Sequence, residues 1–156
     1  MRQKKRLLHR DRLLKLLTHI TLPAQLDSLE RLIGLVSSCA SHGGFNQTRV
    51  KEIELATEEA LVNIIKYAYQ DKDGDIEVTC SLDKEGFTIT IVDSGIPFNV
   101  LSVGDPDISA DVSERSIGGL GIFLMKKLMD DIQYRRAGGK NILTLIAWIE
   151  PEKPAL

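Results

Sequence analysis

Two periods of apolar and polar residues run along this chain. Between about 46 and 69, Ile53, Ala56, Ala60 and Ile64 recur three and four positions apart, which predicts a helix with one buried stripe. Asn46 or Thr48 is placed to cap it. Leu26, Leu29, Ile33, Val36 and Ala40 predict an earlier helix, opened by Pro23 and stopped at Gly43-Gly44. A third helix starts near Gly119, with Leu120, Leu124, Leu128 and Ile132 expected inward. The period falls to two over 75–82, where Ile76, Val78, Cys80 and Leu82 alternate with polar residues. It does so again through Phe87, Ile89 and Ile91, in a strand that ends at Asp93. Asp83-Lys84-Glu85-Gly86 makes the intervening turn a hairpin, and residues 132–136 and 141–149 form a second hairpin around Gly138-Gly139. Residues 19–22 read as a short first strand. Grouped helices and hairpins in this order predict an α+β fold, a two-layer sandwich whose mixed, antiparallel-rich sheet is covered on one face by helices.

Composition adds bounds. At 156 residues the chain fits one domain with a real core, and its apolar and charged fractions are ordinary for a globular protein. No apolar run approaches the roughly 20 residues of a membrane span, and charges break up the leucines near the start, unlike a signal peptide. Cys39 and Cys80 lack metal-ligand spacing and read as buried, reduced thiols of a cytoplasmic protein. The near-neutral total hides an asymmetry: residues 1–16 carry seven basic residues against one acidic, the remainder 13 against 21. An acidic body with a basic arm argues against direct nucleic-acid binding. The arm, 1–17, also holds Leu7, Leu8, Leu13, Leu14, Leu16 and Leu17. It is open to two readings: a basic amphipathic helix that touches a membrane or partner weakly, or an extra helix or frayed tail. Residues 18–150 then form the domain and 151–156 a tail.

Three stretches carry candidate chemistry. Glu59, Asn63 and Lys66 share a face of the long helix away from its apolar stripe, offering a base, an amide and a cation within about two turns. A solvated face would look the same, but Asn is a mediocre helix former that competes with the backbone in mid-helix. Asp93-Ser94-Gly95-Ile96-Pro97-Phe98 follows a strand directly. A carboxylate there can accept a hydrogen bond from an exocyclic amine such as adenine's, with Gly95 letting a flat ring approach; a plain turn is the other reading. Gly118-Gly119-Leu120-Gly121 opens the third helix, where free N–H groups and the helix dipole suit phosphate. Neither a Walker A loop nor a dinucleotide fingerprint fits it. Between the last two stretches, residues 99–117 lack a period and hold Asp105, Asp107, Asp111 and Glu114, which suggests a functional loop or lid with little apolar burial to hold it closed.

A mid-helix Glu-x-x-x-Asn, a strand-end Asp-x-Gly-x-Pro-Phe, a lid and a Gly-Gly-x-Gly helix start appear together in this order. The chain in this respect resembles the Bergerat-type ATP-binding fold of the GHKL superfamily, shared by histidine kinases, gyrase and MutL. Within it, the run from Gly118 to Asp130 most resembles the small anti-sigma-factor serine kinases of bacterial partner switching. The resemblance covers about residues 20–148 and implies ATP and Mg²⁺ as cofactors. It implies Asn63 as the Mg²⁺ ligand and Glu59 as the base that activates an attacking hydroxyl. Asp93 would read adenine, with Gly95 and Pro97 shaping the pocket, and Gly118, Gly119, Leu120 and Gly121 would cradle phosphates. Lys66, three residues after Asn63, is similar to the histidine-kinase version of the motif, and Arg115 resembles an arginine on the terminal phosphate. Tyr67 departs from the histidine many anti-sigma kinases have at that place. The partners implied are an antagonist protein with a serine acceptor and a sigma factor, with a homodimer left open. The rival reading is a non-catalytic, nucleotide-gated regulator of the same fold. A histidine-kinase fragment fits less well, because the arm with His9 and His19 is too short for a dimerising helix pair.

Overall fold

The computed structural model describes residues 15–106 and 119–150. In chain order these form β1 (Lys15–Pro23), α1 (Leu26–His42), α2 (Gln47–Tyr67), β2 (Asp75–Leu82), β3 (Gly86–Asp93), a 3₁₀ turn (Val100–Ser102), α3 (Gly119–Leu128), β4 (Asp131–Ala137) and β5 (Lys140–Trp148). The strands make one sheet in the order β1-β2-β3-β5-β4, and every neighbouring pair is antiparallel rather than mixed. β1 begins at Lys15, so the last residues of the expected basic arm belong to an edge strand; the rest of the arm, Arg115, Gly118 and the tail 151–156 lie outside the described residues.

Cross-strand register turns the period-two pattern into layers. Cys80, Ile89 and Leu145 form one row, and Val78, Ile91 and Leu143 the next, all buried against the helices. On the opposite face Thr79, Thr90 and Thr144 make a polar row. α2 lies in the helical layer between α1 and α3. Its buried side is the expected Ile53, Ala56, Ala60 and Ile64, widened by Val50, Thr57 and Leu61. Asn46 caps it, its side chain accepting from the Arg49 N–H at 2.9 Å. Buried Thr57 is satisfied inside the helix, its hydroxyl donating to the Ile53 carbonyl at 2.7 Å.

Two expected stripes are rotated. In α1 the buried line is Ser28, Leu32, Val36 and Ala40; Leu29 and Ile33 flank it, and Leu26 is 64% exposed. In α3 the inward residues are Gly119, Ile122 and Met125, followed by Met129, whereas Leu120 is 46% exposed and Ile132 has passed into β4. α3 is held in place from α2. The Arg49 guanidinium donates to the Leu128 carbonyl at its C-terminal end and to the Asp130 carboxylate at 2.8 Å, while Asp130 also accepts from the Trp148 N–H. Both cysteines are free thiols. Burial pushes Cys80 well above the usual thiol range and raises half-buried Cys39, so neither favours the reactive thiolate.

Candidate functional site

α2 carries Glu59 and Asn63 one turn apart, both half-buried at the rim of the core. Asn63 lines a cleft with Ala60, Ile64, Tyr67 and Ala68 of the same helix. Ile96, Phe98 and Val100 of the loop after β3 face them, and Asp93, Tyr134, Asn141 and Leu143 close the sheet end. The cleft opens to solvent. Apolar walls with a few convergent polar groups are what a flat heterocycle needs: hydrophobic contact on its faces and a hydrogen bond at one edge.

That edge is built by strand parity. Phe87, Ile89, Ile91 and Asp93 all point to the helices, so the inward row of β3 ends in a carboxylate that is 5% exposed. Asn141 stands opposite Asp93 on β5, in the same parity as Leu143 and Leu145, and is 6% exposed. Its Nδ2 donates to Asp93 Oδ1 at 2.9 Å and to the Ile96 carbonyl at 2.8 Å. Its Oδ1 accepts from the Tyr134 hydroxyl at 2.7 Å and the Phe98 N–H at 3.4 Å. The Gly95 N–H also donates to Asp93 Oδ1, at 2.9 Å. Both of these donors thus go to one oxygen, and Asp93 Oδ2 has no hydrogen-bond partner among the described residues.

The loop itself is tied at several points. Ile96 N–H donates to the Ala68 carbonyl at 2.8 Å and Arg136 to the Gly95 carbonyl at 2.8 Å. Tyr69 joins the turn before β2 to the end of β3, donating to the Asp75 carbonyl and accepting from the Ser94 N–H. Burial above all raises its phenol pKa, with nearby Asp93 and Asp75 adding to this against the opposing Ser94 N–H, so the hydroxyl keeps the proton it donates. Gly95 meets a packing requirement here that the sequence does not announce. A Cβ at this position would overlap the carbonyl and Cβ of Ala68, at the end of α2. Backbone cannot yield as a long side chain does, so Gly95→Ala is expected to destabilise the fold by about 1–3 kcal/mol. Thermal melts should show a Tm lowered by several degrees, and an unchanged Tm would mean that the loop shifts freely.

Gly121 brings the glycine segment to the base. A Cβ on Gly121 would overlap the Glu59 carboxylate, so the first turn of α3 sits directly against that side chain. Among the other sequence candidates, Gly119 is buried, and Leu120, Pro97 and Lys66 are exposed; none of these four lines the cleft. Tyr67 does line it, with 43% exposure. The expected lid is pinned at its start. Val100 is 6% exposed and Lys126 of α3 donates to the Val103 carbonyl at 2.8 Å, while residues 107–117 lie outside the described residues.

Asn141 and Tyr134 were not among the sequence candidates. The signal for Asn141 was its parity: a polar residue where the alternation of β5 demands an apolar one.

Comparison with known proteins points to one family. The histidine kinase-like ATPase domain matches residues 22–147. Serine-protein kinase RsbW of Listeria monocytogenes is 32% identical over 131 residues, covering 80% of this chain and 82% of that protein. The RsbW kinases of Bacillus cereus strain AH187 and Bacillus mycoides are 31% and 29% identical, each over 78% of this chain and 79% of theirs.

Proposed function

We infer the function from one premise: the chain belongs to the histidine kinase-like ATPase domain family. It binds ATP and is a serine/threonine protein kinase of the anti-sigma-factor type. In our reading it phosphorylates a serine on a small antagonist protein and, through that antagonist and a sigma factor, acts in partner switching. Two free cysteines, one of them sealed in the core, support a cytoplasmic setting, and no helix among the described residues is long and apolar enough to cross a membrane.

The observation that carries the reading is convergence. Asn63 and Asp93, 30 positions apart in sequence, line one cleft, and Gly121 seats the glycine segment on Glu59 beside it. Asp93 Oδ2 accepts the adenine amine, and the apolar walls hold the ring. α3 directs its N-terminal N–H groups and positive dipole end toward the phosphates. Glu59 takes the serine proton as the serine oxygen bonds to the γ-phosphorus and the bond to ADP breaks.

Among the described residues no group of three His, Cys, Asp or Glu side chains could enclose a metal. Mg²⁺ fits the donors present, because it accepts one protein oxygen and completes its shell with phosphate oxygens and waters. Asn63 offers that oxygen; bound Mg²⁺ would neutralise phosphate charge as transfer proceeds.

Calorimetric titration and a phosphotransfer assay against products of neighbouring genes test the proposal. ATP should bind more tightly with Mg²⁺ than without, and label should appear on serine. Asn63→Ala is expected to remove most of the Mg²⁺-dependent gain, about tenfold or more in affinity, with little change in metal-free binding. No ATP or ADP binding at millimolar nucleotide would remove the reading. Binding without transfer to any such protein would favour the non-catalytic regulator.

A further inference from the structure

We propose that Asn141 is the residue that sets adenine specificity, by holding the Asp93 carboxylate so that its unpaired oxygen faces the ligand. The inference rests on the adenine role of Asp93 and goes beyond it.

The orientation of the Asn141 amide is dictated by its partners. The Ile96 carbonyl can only accept, so the group 2.8 Å from it must be the NH₂. The Phe98 N–H can only donate, so the opposite side must be the oxygen, which also receives the Tyr134 hydroxyl. The second NH₂ hydrogen then points at Asp93 Oδ1, where the Gly95 N–H converges on it. Oδ1 is engaged from two directions, and tilting the carboxylate out of this plane would leave the buried Asn141 NH₂ and the half-buried Gly95 N–H unpaired. Oδ2 is left as the acceptor for a ligand. A 6-amino purine offers a donor to that oxygen. A 6-oxo purine offers an acceptor, which the carboxylate repels.

Asn141 sits on β5 and Tyr134 on β4, whereas Asp93 and the loop belong to the β3 side. The amide therefore also clamps the loop carrying Ile96 and Phe98 to the far strands. Asn141 is a positioning residue: its donors and acceptors are filled by protein, and it acts on the ligand through Asp93.

The test compares ATP with the triphosphate of unsubstituted purine riboside, which lacks only the 6-amine. Wild type should prefer ATP by about 10- to 100-fold, the worth of a hydrogen bond to a charged acceptor. Asn141→Ala frees the carboxylate and should reduce that preference to about threefold or less, while the purine analogue loses less affinity than ATP. A residue that only holds the fold together would weaken both nucleotides equally and leave the ratio unchanged; that outcome in the folded variant overturns the proposal. Tyr134→Phe covers the case in which Asn141→Ala does not fold. It removes one donor to the Asn141 oxygen, and the ratio should fall by about two- to fivefold; an unchanged ratio there counts equally against the proposal. Wild type that binds neither nucleotide would instead sink the ATP-binding reading, and wild type that binds both equally would remove Asp93 as the adenine reader, so the separate failures are distinguishable.

Discussion

Replacing Glu59 by glutamine is expected to leave ATP affinity within about threefold and to slow phosphoryl transfer to serine by about 10²- to 10⁴-fold. The substitution keeps the side chain's length and its packing against Gly121, so the first turn of α3 should stay where it is. What disappears is the capacity to accept a proton. Asn63, one turn away, is an amide and cannot substitute as a base. Single-turnover transfer, measured with ATP saturating, separates the chemical step from binding. A glutamine variant that transfers at the wild-type rate would return Glu59 to the role of a polar rim residue.

How far the sequence anticipates this arrangement depends on the physics of each segment. The stripe of α2 is legible because polar residues occupy its other faces, and the alternation of β2 and β3 because one sheet face is solvated. α3 defeats the same reasoning. Its run Gly-Leu-Gly-Ile-Phe-Leu-Met is apolar all round, so periodicity cannot choose a face, and packing on α2 selects Ile122 and Met125 over Leu120. In α1 the small residues Ser28 and Ala40 lie on the buried line, where a search for large apolar residues passes over Ser28 and takes Leu26 instead. β1 was legible only over 19–22, because Lys15, Leu16 and Leu17 continue the basic, leucine-rich pattern of the arm, and an edge strand tolerates a lysine at its end.

Site residues follow a similar division. Asn63 was legible as an amide out of place in mid-helix and Asp93 as a carboxylate at a strand end, whereas Glu59, a good helix former, was legible only through its spacing from Asn63. Gly95 was legible as a required glycine, yet its cause, contact with Ala68, lies across the fold and has no local signature. Asn141 needed the pairing of β3 with β5 before its partner could be named, because 48 positions separate it from Asp93.

Asp93→Asn is expected to weaken ATP binding by about 100-fold or more and to raise affinity for GTP relative to ATP, with the fold intact. The Gly95 N–H and the Asn141 NH₂ both donate toward the Oδ1 position, so the new amide settles with its oxygen there. Its NH₂ then replaces Oδ2. A donor now faces the adenine amine, and two donors meet where a charge-assisted hydrogen bond had been. Against the 6-oxo group of guanine the same NH₂ is complementary, so discrimination between the purines should narrow or reverse. Because the swap is isosteric and both donors stay satisfied, circular dichroism and the melting temperature should change little. Competition between ATP and GTP, read by displacement of a fluorescent nucleotide, measures both changes. An Asp93→Asn protein that keeps wild-type ATP affinity would show that adenine is read elsewhere in the cleft, and equal loss of both nucleotides would mean that the carboxylate maintains the pocket rather than reads the base.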